Sequence, residues 1–308
     1  MKHSMQILQE LVVKNGPLCV GLDTDPSYIP QSLISKYSSP SEAVLAYNKE
    51  IINRIKNSGS ACCCKVQIAY YEAMGLDGMK VYAQTVQAVK EAGLICISDI
   101  KRGDIAATAG AYARAHFSGD FETDIITINP YMGFDTLKPF IEYCNNGKGI
   151  FILLRTSNPG MTDIEQQELK SGGRVLDRVG AELKRLSDEF RKVFPEQTCS
   201  PIGAVVGCTE ESDAKMLREA YPDIFFLIPG YGAQGGDARI AATLLLNAGG
   251  TVNSSRGILC AWKKSETCIK KEQKGSLTMD DIGDAAGLAA IESKADLMNA
   301  KNTLASGL

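Results

Sequence analysis

The stretch Leu94-Ile95-Cys96-Ile97-Ser98-Asp99-Ile100-Lys101-Arg102-Gly103-Asp104-Ile105-Ala106-Ala107-Thr108 decides the fold. Its apolar start reads as a buried strand. Side chains alternate along a strand, so Asp99 and Lys101 project to the same side. Gly103 breaks the strand, and Asp104 lies at the start of a helical stretch. The stretch is therefore one strand-to-helix unit with two acids and a base crowded at the strand's end. Charges are seldom placed there for stability alone, which makes this the place to look for chemistry.

The same alternation continues in both directions. Strand-like apolar runs are predicted at 18–23, 62–67, 94–99, 124–129, 149–156, 202–207, 225–229 and 251–255. Amphipathic helical stretches are predicted at 41–57, 79–92, 106–117, 136–144, 175–193, 213–220 and 238–247. A last helix is expected at 279–297, opened by Thr278 as N-cap. Strands alternating with helices mean parallel pairing with right-handed crossovers. Eight such units point to an α/β fold of the (β/α)8 TIM-barrel type, with an open doubly wound sheet as the alternative. No domain boundary stands out, so residues 1–308 are expected to form a single domain. The lysine-rich stretch 261–275 reads as a solvated polar insertion.

Composition narrows the function classes. The 308 residues are 44% hydrophobic and 22% charged, with a net charge of −3. That is ordinary globular composition and argues against an electrostatic nucleic-acid binder. No run is long and apolar enough for a membrane span, and the first residues carry no apolar signal core, so a cytoplasmic location is expected. The ten cysteines show no CxxC spacing and sit mostly in apolar runs, as buried reduced thiols would. With only His3 and His116, a histidine-based metal cage or a Ser-His-Asp triad has little material. His116 reads as structural.

In a barrel of this type, functional residues gather at the C-terminal strand ends. Polar or glycine residues stand at all eight. Among them are Asp23, Lys65 and Gln67, Asn129, Thr156 and Ser157, Tyr231 and Gln234, and Arg256. Glycine-rich turns after the last two strands, joined to the planar fork of Arg256, suit a phosphate group. Lys65 follows three cysteines in an apolar strand, where an ammonium is costly unless it meets anions. Asp99 and Asp104 can be those anions, with a structural ion-pair cluster as the alternative.

These residues carry a resemblance. Asp99, Lys101, Asp104, Ile105 and Thr108 match the pattern Asp-x-Lys-x-x-Asp-Ile-x-x-Thr of the orotidine 5′-phosphate decarboxylase family position for position. Lys65-Val-Gln-Ile-Ala-Tyr-Tyr-Glu72, Asn129-Pro-Tyr-Met-Gly133, Thr156-Ser-Asn-Pro-Gly160 and Pro229-Gly-Tyr-Gly-Ala-Gln234 look like its longer, bacterial and protist-like branch. The resemblance implies a homodimeric barrel that needs no cofactor or metal and converts orotidine 5′-monophosphate to uridine 5′-monophosphate. It assigns a Lys-Asp-Lys-Asp array to Lys65, Asp99, Lys101 and Asp104, with Asp104 and Thr108 reaching into the other subunit's site. Lys101 would donate the proton to C6. Asp23 and Lys65 would meet ribose hydroxyls, and Thr156 or Ser157 the pyrimidine amide edge. Gln234, Arg256 and Tyr231 would hold the phosphate, and Asn129 and Gln67 would join the substrate contacts. Gln67 departs from the histidine or asparagine of some relatives. Two rival readings are a magnesium-dependent sugar-phosphate enzyme of the same superfamily and a non-catalytic nucleotide-binding barrel.

Overall fold

The computed structural model describes residues 1–232 and 237–306. Eight parallel strands close into a barrel in sequence order: β1 Leu18–Gly21, β2 Cys63–Gln67, β3 Ile95–Arg102, β4 Ile125–Ile128, β5 Gly149–Arg155, β6 Ile202–Val206, β7 Phe226–Ile228 and β8 Gly250–Ser254. β1 pairs with β8, which excludes the open sheet. Each predicted strand is present within a few residues of its expected bounds. β3 runs on to Arg102, three residues past the expected end.

Alternation along the strands separates two cores. One set of side chains, including Val20, Cys64, Val66, Ile126, Ile152 and Val206, packs outward beneath the helices. The other set, including Cys19, Cys63, Ile95, Ile97, Ile125, Phe151, Val205 and Leu227, fills the barrel interior. Asp99 and Lys101 continue the interior series of Ile95 and Ile97 on β3. The polar cluster is thus the topmost interior layer, standing on an apolar plug.

The helices differ from expectation in several places. The N-terminal helix Ser4–Asn15 was not predicted, and its Met5 and Leu8 close the interior core from below. The stretch 136–144 is broken into a 3-10 turn Phe134–Leu137, one α-turn Lys138–Ile141 and a second 3-10 turn Glu142–Asn146. Pro139 lacks the N–H that would carry a continuous helix across this point. The stretch 261–275 is not an irregular loop. It forms a 3-10 turn Ala261–Lys264 and a helix Glu266–Gln273, held by buried Trp262 and Cys268 while its charges face outward. The last helix runs Met279–Ala305, longer than predicted, and Thr278 caps it as expected. No described helix is long and apolar enough to cross a membrane.

One arginine ties the bottom of the barrel. Arg218, at the end of helix Glu211–Ala220, is buried and lies 3.7 Å from the ring centroid of Phe226. Its guanidinium donates to the carbonyls of Leu244, Tyr221, Ile224 and Gly249 at 2.5–3.0 Å. It thereby joins the segments that enter β7 and β8. All ten cysteines are free, and all but the half-buried Cys260 are buried. Burial pushes the Cys62, Cys63 and Cys64 thiols well above their ordinary range.

Both histidines are buried, and burial pulls each down from 6.5 to about 4. His3 Nδ1 accepts the Gln6 N–H, so Nε2 carries the proton donated to the Cys199 carbonyl. His116 packs against Tyr82 and Phe121, with Arg102 adding to the downward pull. Between pH 6.5 and 4 the unfolded chain binds the extra protons, so stability falls as pH drops through that window. Urea unfolding at pH 7 and pH 5 should differ by roughly 2 kcal/mol per histidine. His116→Phe should remove its share of the slope; an unchanged slope would refute the assignment.

Candidate active site

The site is a chain of alternating charges across β1, β2 and β3. Register places Gly21 of β1 beside Lys65 of β2, and Gln67 of β2 beside Asp99 of β3. Lys65 Nζ lies 2.9 Å from Asp23 Oδ1 and 3.0 Å from Asp99 Oδ2. Lys101 Nζ lies 2.7 Å from Asp99 Oδ1. Gln67 Nε2 donates to Asp99 Oδ2 and Thr127 Oγ1 to Asp99 Oδ1, at 2.9 and 2.8 Å. Asp99 therefore has four donors around two oxygens.

These contacts set the charges. Burial alone would raise the Asp99 carboxyl, but Lys65 and Lys101 outweigh it and hold the group well below the usual carboxylate range. Burial alone would lower Lys65, but Asp23 and Asp99 overcome it and hold the ammonium above its ordinary value. Both stay charged at neutral pH. The two lysines differ in access: the Lys65 side chain is 6% exposed and that of Lys101 45%. Lys65 is built into the wall, whereas Lys101 reaches into the mouth.

The backbone around Lys101 is held in an uncommon shape. Lys101 has φ +47 and Ala106 φ +43, both in the left-handed region that costs a side-chain-bearing residue roughly 1–3 kcal/mol. Thr127 Oγ1 accepts the Lys101 N–H at 3.0 Å, and Asn129 Nδ2 donates to the Lys101 carbonyl at 2.9 Å. A Cβ on Gly103 would come within 2.8 Å of the Asn129 side-chain amide, so only glycine passes here. Asn129 thus braces Lys101 from below. On the other side, a Cβ on Gly21 would overlap Ser255 Oγ at 2.0 Å. Glycine there lets Ser255 reach across and donate to Asp23 Oδ2 at 2.8 Å.

The remaining expected residues divide. Asp104 lies outside the chain of contacts, its Oδ1 accepting the Ile105 N–H at 2.8 Å. Thr108 is exposed on helix Ala106–Phe117. Arg256 opens the short helix Arg256–Leu259, is exposed and has no ion-pair partner among the described residues. Gln234 lies outside the described residues. Tyr231 donates to Asp296 Oδ2 on the last helix at 2.5 Å. Thr156 Oγ1 donates to Glu165 Oε1 at 2.7 Å. Ser157 packs beside Gly207 at the end of β6, where a Cβ on the glycine would come within 2.8 Å of Ser157 Cβ. Sequence reasoning missed Thr127 and Ser255. Each lies two residues from a polar interior position, so the two-residue period was the signal for both.

Known proteins resemble this chain over most of its length. The profile of the orotidine 5′-phosphate decarboxylase / HUMPS family matches residues 16–268. The orotidine 5′-phosphate decarboxylase of Clostridium novyi (strain NT) is 50% identical over 274 residues, covering 86% of this chain and 94% of that protein. That of Clostridium tetani (strain Massachusetts / E88) is 51% identical over 259 residues, covering 83% and 88%. The solved structure of the Leishmania donovani OMP decarboxylase superposes with a TM-score of 0.71 at 25% identity, covering 97% of this chain and 98% of its own. With the profile spanning all eight strands and half of the aligned residues shared with these bacterial relatives, the chain belongs to the orotidine 5′-phosphate decarboxylase / HUMPS family.

Proposed function

We propose that this protein decarboxylates orotidine 5′-monophosphate to uridine 5′-monophosphate, and that the array at the mouth of the barrel performs the reaction. The observation that carries this reading is the unbroken run Asp23–Lys65–Asp99–Lys101, in which each charge lies within 3.0 Å of an opposite one. Breaking the C6–carboxylate bond releases CO2 and leaves an electron pair at C6 that the pyrimidine ring does not delocalise. Catalysis must then come from fixed charges. The Asp99 carboxylate faces the departing carboxylate; at ~4 Å and an effective dielectric of ~20 the two repel by ~4 kcal/mol, relieved as CO2 leaves. The Lys101 ammonium stabilises the developing carbanion and then gives C6 its proton. Lys65 and Asp23 line the same mouth and meet the ribose hydroxyls, and exposed Arg256 takes the phosphate.

Asp104 and Thr108 complete the neighbouring site in a homodimer. Their own array does not use them, and the residue between Asp104 and the helix that bears Thr108 is an exposed apolar one, Ile105, 55% exposed. A second copy of the chain would cover both and bring the Asp104 carboxylate to the array.

The donor set does not suit a resident divalent ion. The ammonium of Lys65 already lies between the two carboxylates that would cradle one. A spectrophotometric assay with orotidine 5′-monophosphate, with and without EDTA, tests the reading. Turnover unaffected by the chelator is expected. Activity abolished by EDTA would favour the metal-dependent sugar-phosphate chemistry, and binding of uridine 5′-monophosphate without turnover of the substrate would favour a sensor.

A further inference from the structure

The β5 loop is held by an acid that the reaction itself does not use. Glu165 lies just after the short helical turn Met161–Ile164, and its two oxygens accept two bonds from one residue. The Thr156 N–H reaches Oε2 at 2.9 Å and the Thr156 hydroxyl reaches Oε1 at 2.7 Å. On the other side Arg155, buried at the end of β5, donates to the Thr156 carbonyl at 3.0 Å and to the Gly207 carbonyl at 2.5 Å. Every polar group of Thr156 therefore has a protein partner. The backbone N–H of Leu176 in turn donates to the Glu165 carbonyl at 2.9 Å, which fixes Glu165 to the start of helix Val175–Val193. The hold borders an open groove of about 700 Å³ lined by Thr156, Asn158, Gly160, Glu165 and Asn129. Asn129 is the residue that braces the Lys101 carbonyl, so the groove and the array share it.

We propose that Glu165 is a positioning residue for the decarboxylation. By holding Thr156 through both its N–H and its hydroxyl, it sets where the turn at 157–160 stands over the mouth. The proposal rests on the decarboxylase reading and deepens it. Thr156 has one hydroxyl hydrogen, and Glu165 takes it.

The chemistry of the hold gives a conservative rescue. In Glu165→Gln the amide oxygen accepts the Thr156 N–H and the amide N–H donates to the Thr156 hydroxyl oxygen, keeping both links. Glu165→Ala loses both, and Thr156→Val loses one. Steady-state kinetics with orotidine 5′-monophosphate should show KM raised about tenfold in Glu165→Ala and about threefold in Thr156→Val, with kcat changed less than about threefold. Glu165→Gln should recover most of the loss. The double variant should be no worse than Glu165→Ala alone, because both substitutions remove the same contact. A merely structural role would lower the folded fraction, and so the apparent kcat, with KM unchanged. An unchanged KM in Glu165→Ala overturns the proposal, as does a double variant whose loss is the product of the two single losses. Hydrogen exchange at the Thr156 amide without substrate separates this from the function itself. Faster exchange in Glu165→Ala supports the hold even if the wild-type protein fails to turn over the nucleotide, and unchanged exchange refutes it.

Discussion

Lys101→Ala is expected to lower kcat/KM for orotidine 5′-monophosphate by roughly 10⁴-fold or more, the largest effect of any single substitution in this protein. The reason is that one ammonium does two things. Its charge stabilises the carbanion at C6, and its proton ends the reaction. Lys65 cannot replace it, because its side chain is buried between Asp23 and Asp99. Lys101→Arg keeps the charge but removes a transferable proton, so it too should be inactive. The fold should survive either change, since the Lys101 side chain is half-exposed and Asp99 keeps its ion pair with Lys65. A Lys101→Ala protein within tenfold of wild type would remove the lysine from the mechanism.

The proposed dimer makes this loss reversible by mixing. In a dimer of one Lys101→Ala and one Asp104→Ala subunit, one of the two sites contains neither substitution. Random assortment of equal amounts should restore about a quarter of the wild-type activity from two inactive proteins. No recovery after subunit exchange would mean that Asp104 serves its own subunit or no site at all.

Arg218→Met is expected to have the largest effect on stability, with no direct effect on chemistry. Its five N–H groups satisfy four carbonyls in a region closed to water. Methionine keeps much of the volume over Phe226 but leaves the carbonyls of Leu244, Tyr221, Ile224 and Gly249 without this donor. A loss of roughly 3–5 kcal/mol is expected, read as a lower urea midpoint at unchanged slope. Arg218→Lys should lose less, since three donors remain on a flexible stem. The site lies at the opposite end of the barrel, so the folded fraction of Arg218→Met should keep its kcat. A loss below about 1 kcal/mol would show that the carbonyls find other donors.

The barrel was legible in the sequence because its signal repeats. Eight apolar runs, each closed by a polar or glycine residue, have few other solutions, and the alternation Ile95, Ile97, Asp99, Lys101 carried the site along with the strand. What escaped depended on partners distant in sequence. Nothing in the sequence around Tyr231 pointed to its bond with Asp296 on the last helix. The Thr156 hydroxyl has its partner in Glu165, on the far side of the turn that follows β5. The lysines at 263–274 suggested a solvated loop because charge pattern reports only the outer face of a helix, not the Trp262 and Cys268 that anchor it. Arg218 gave no signal, since its partners are backbone carbonyls and any sequence supplies those.

The run of three cysteines in the barrel wall has a practical consequence. With Cys62 and Cys63 sealed in the barrel interior, Cys64 beneath the helices and all three thiols held protonated, these residues are closed to a water-soluble thiol reagent for as long as the barrel and its helices remain packed. Labelling of these positions then counts openings of the barrel itself, while half-buried Cys260 reacts on its own faster schedule. The protein carries a built-in clock for its own unfolding, readable without any added probe site.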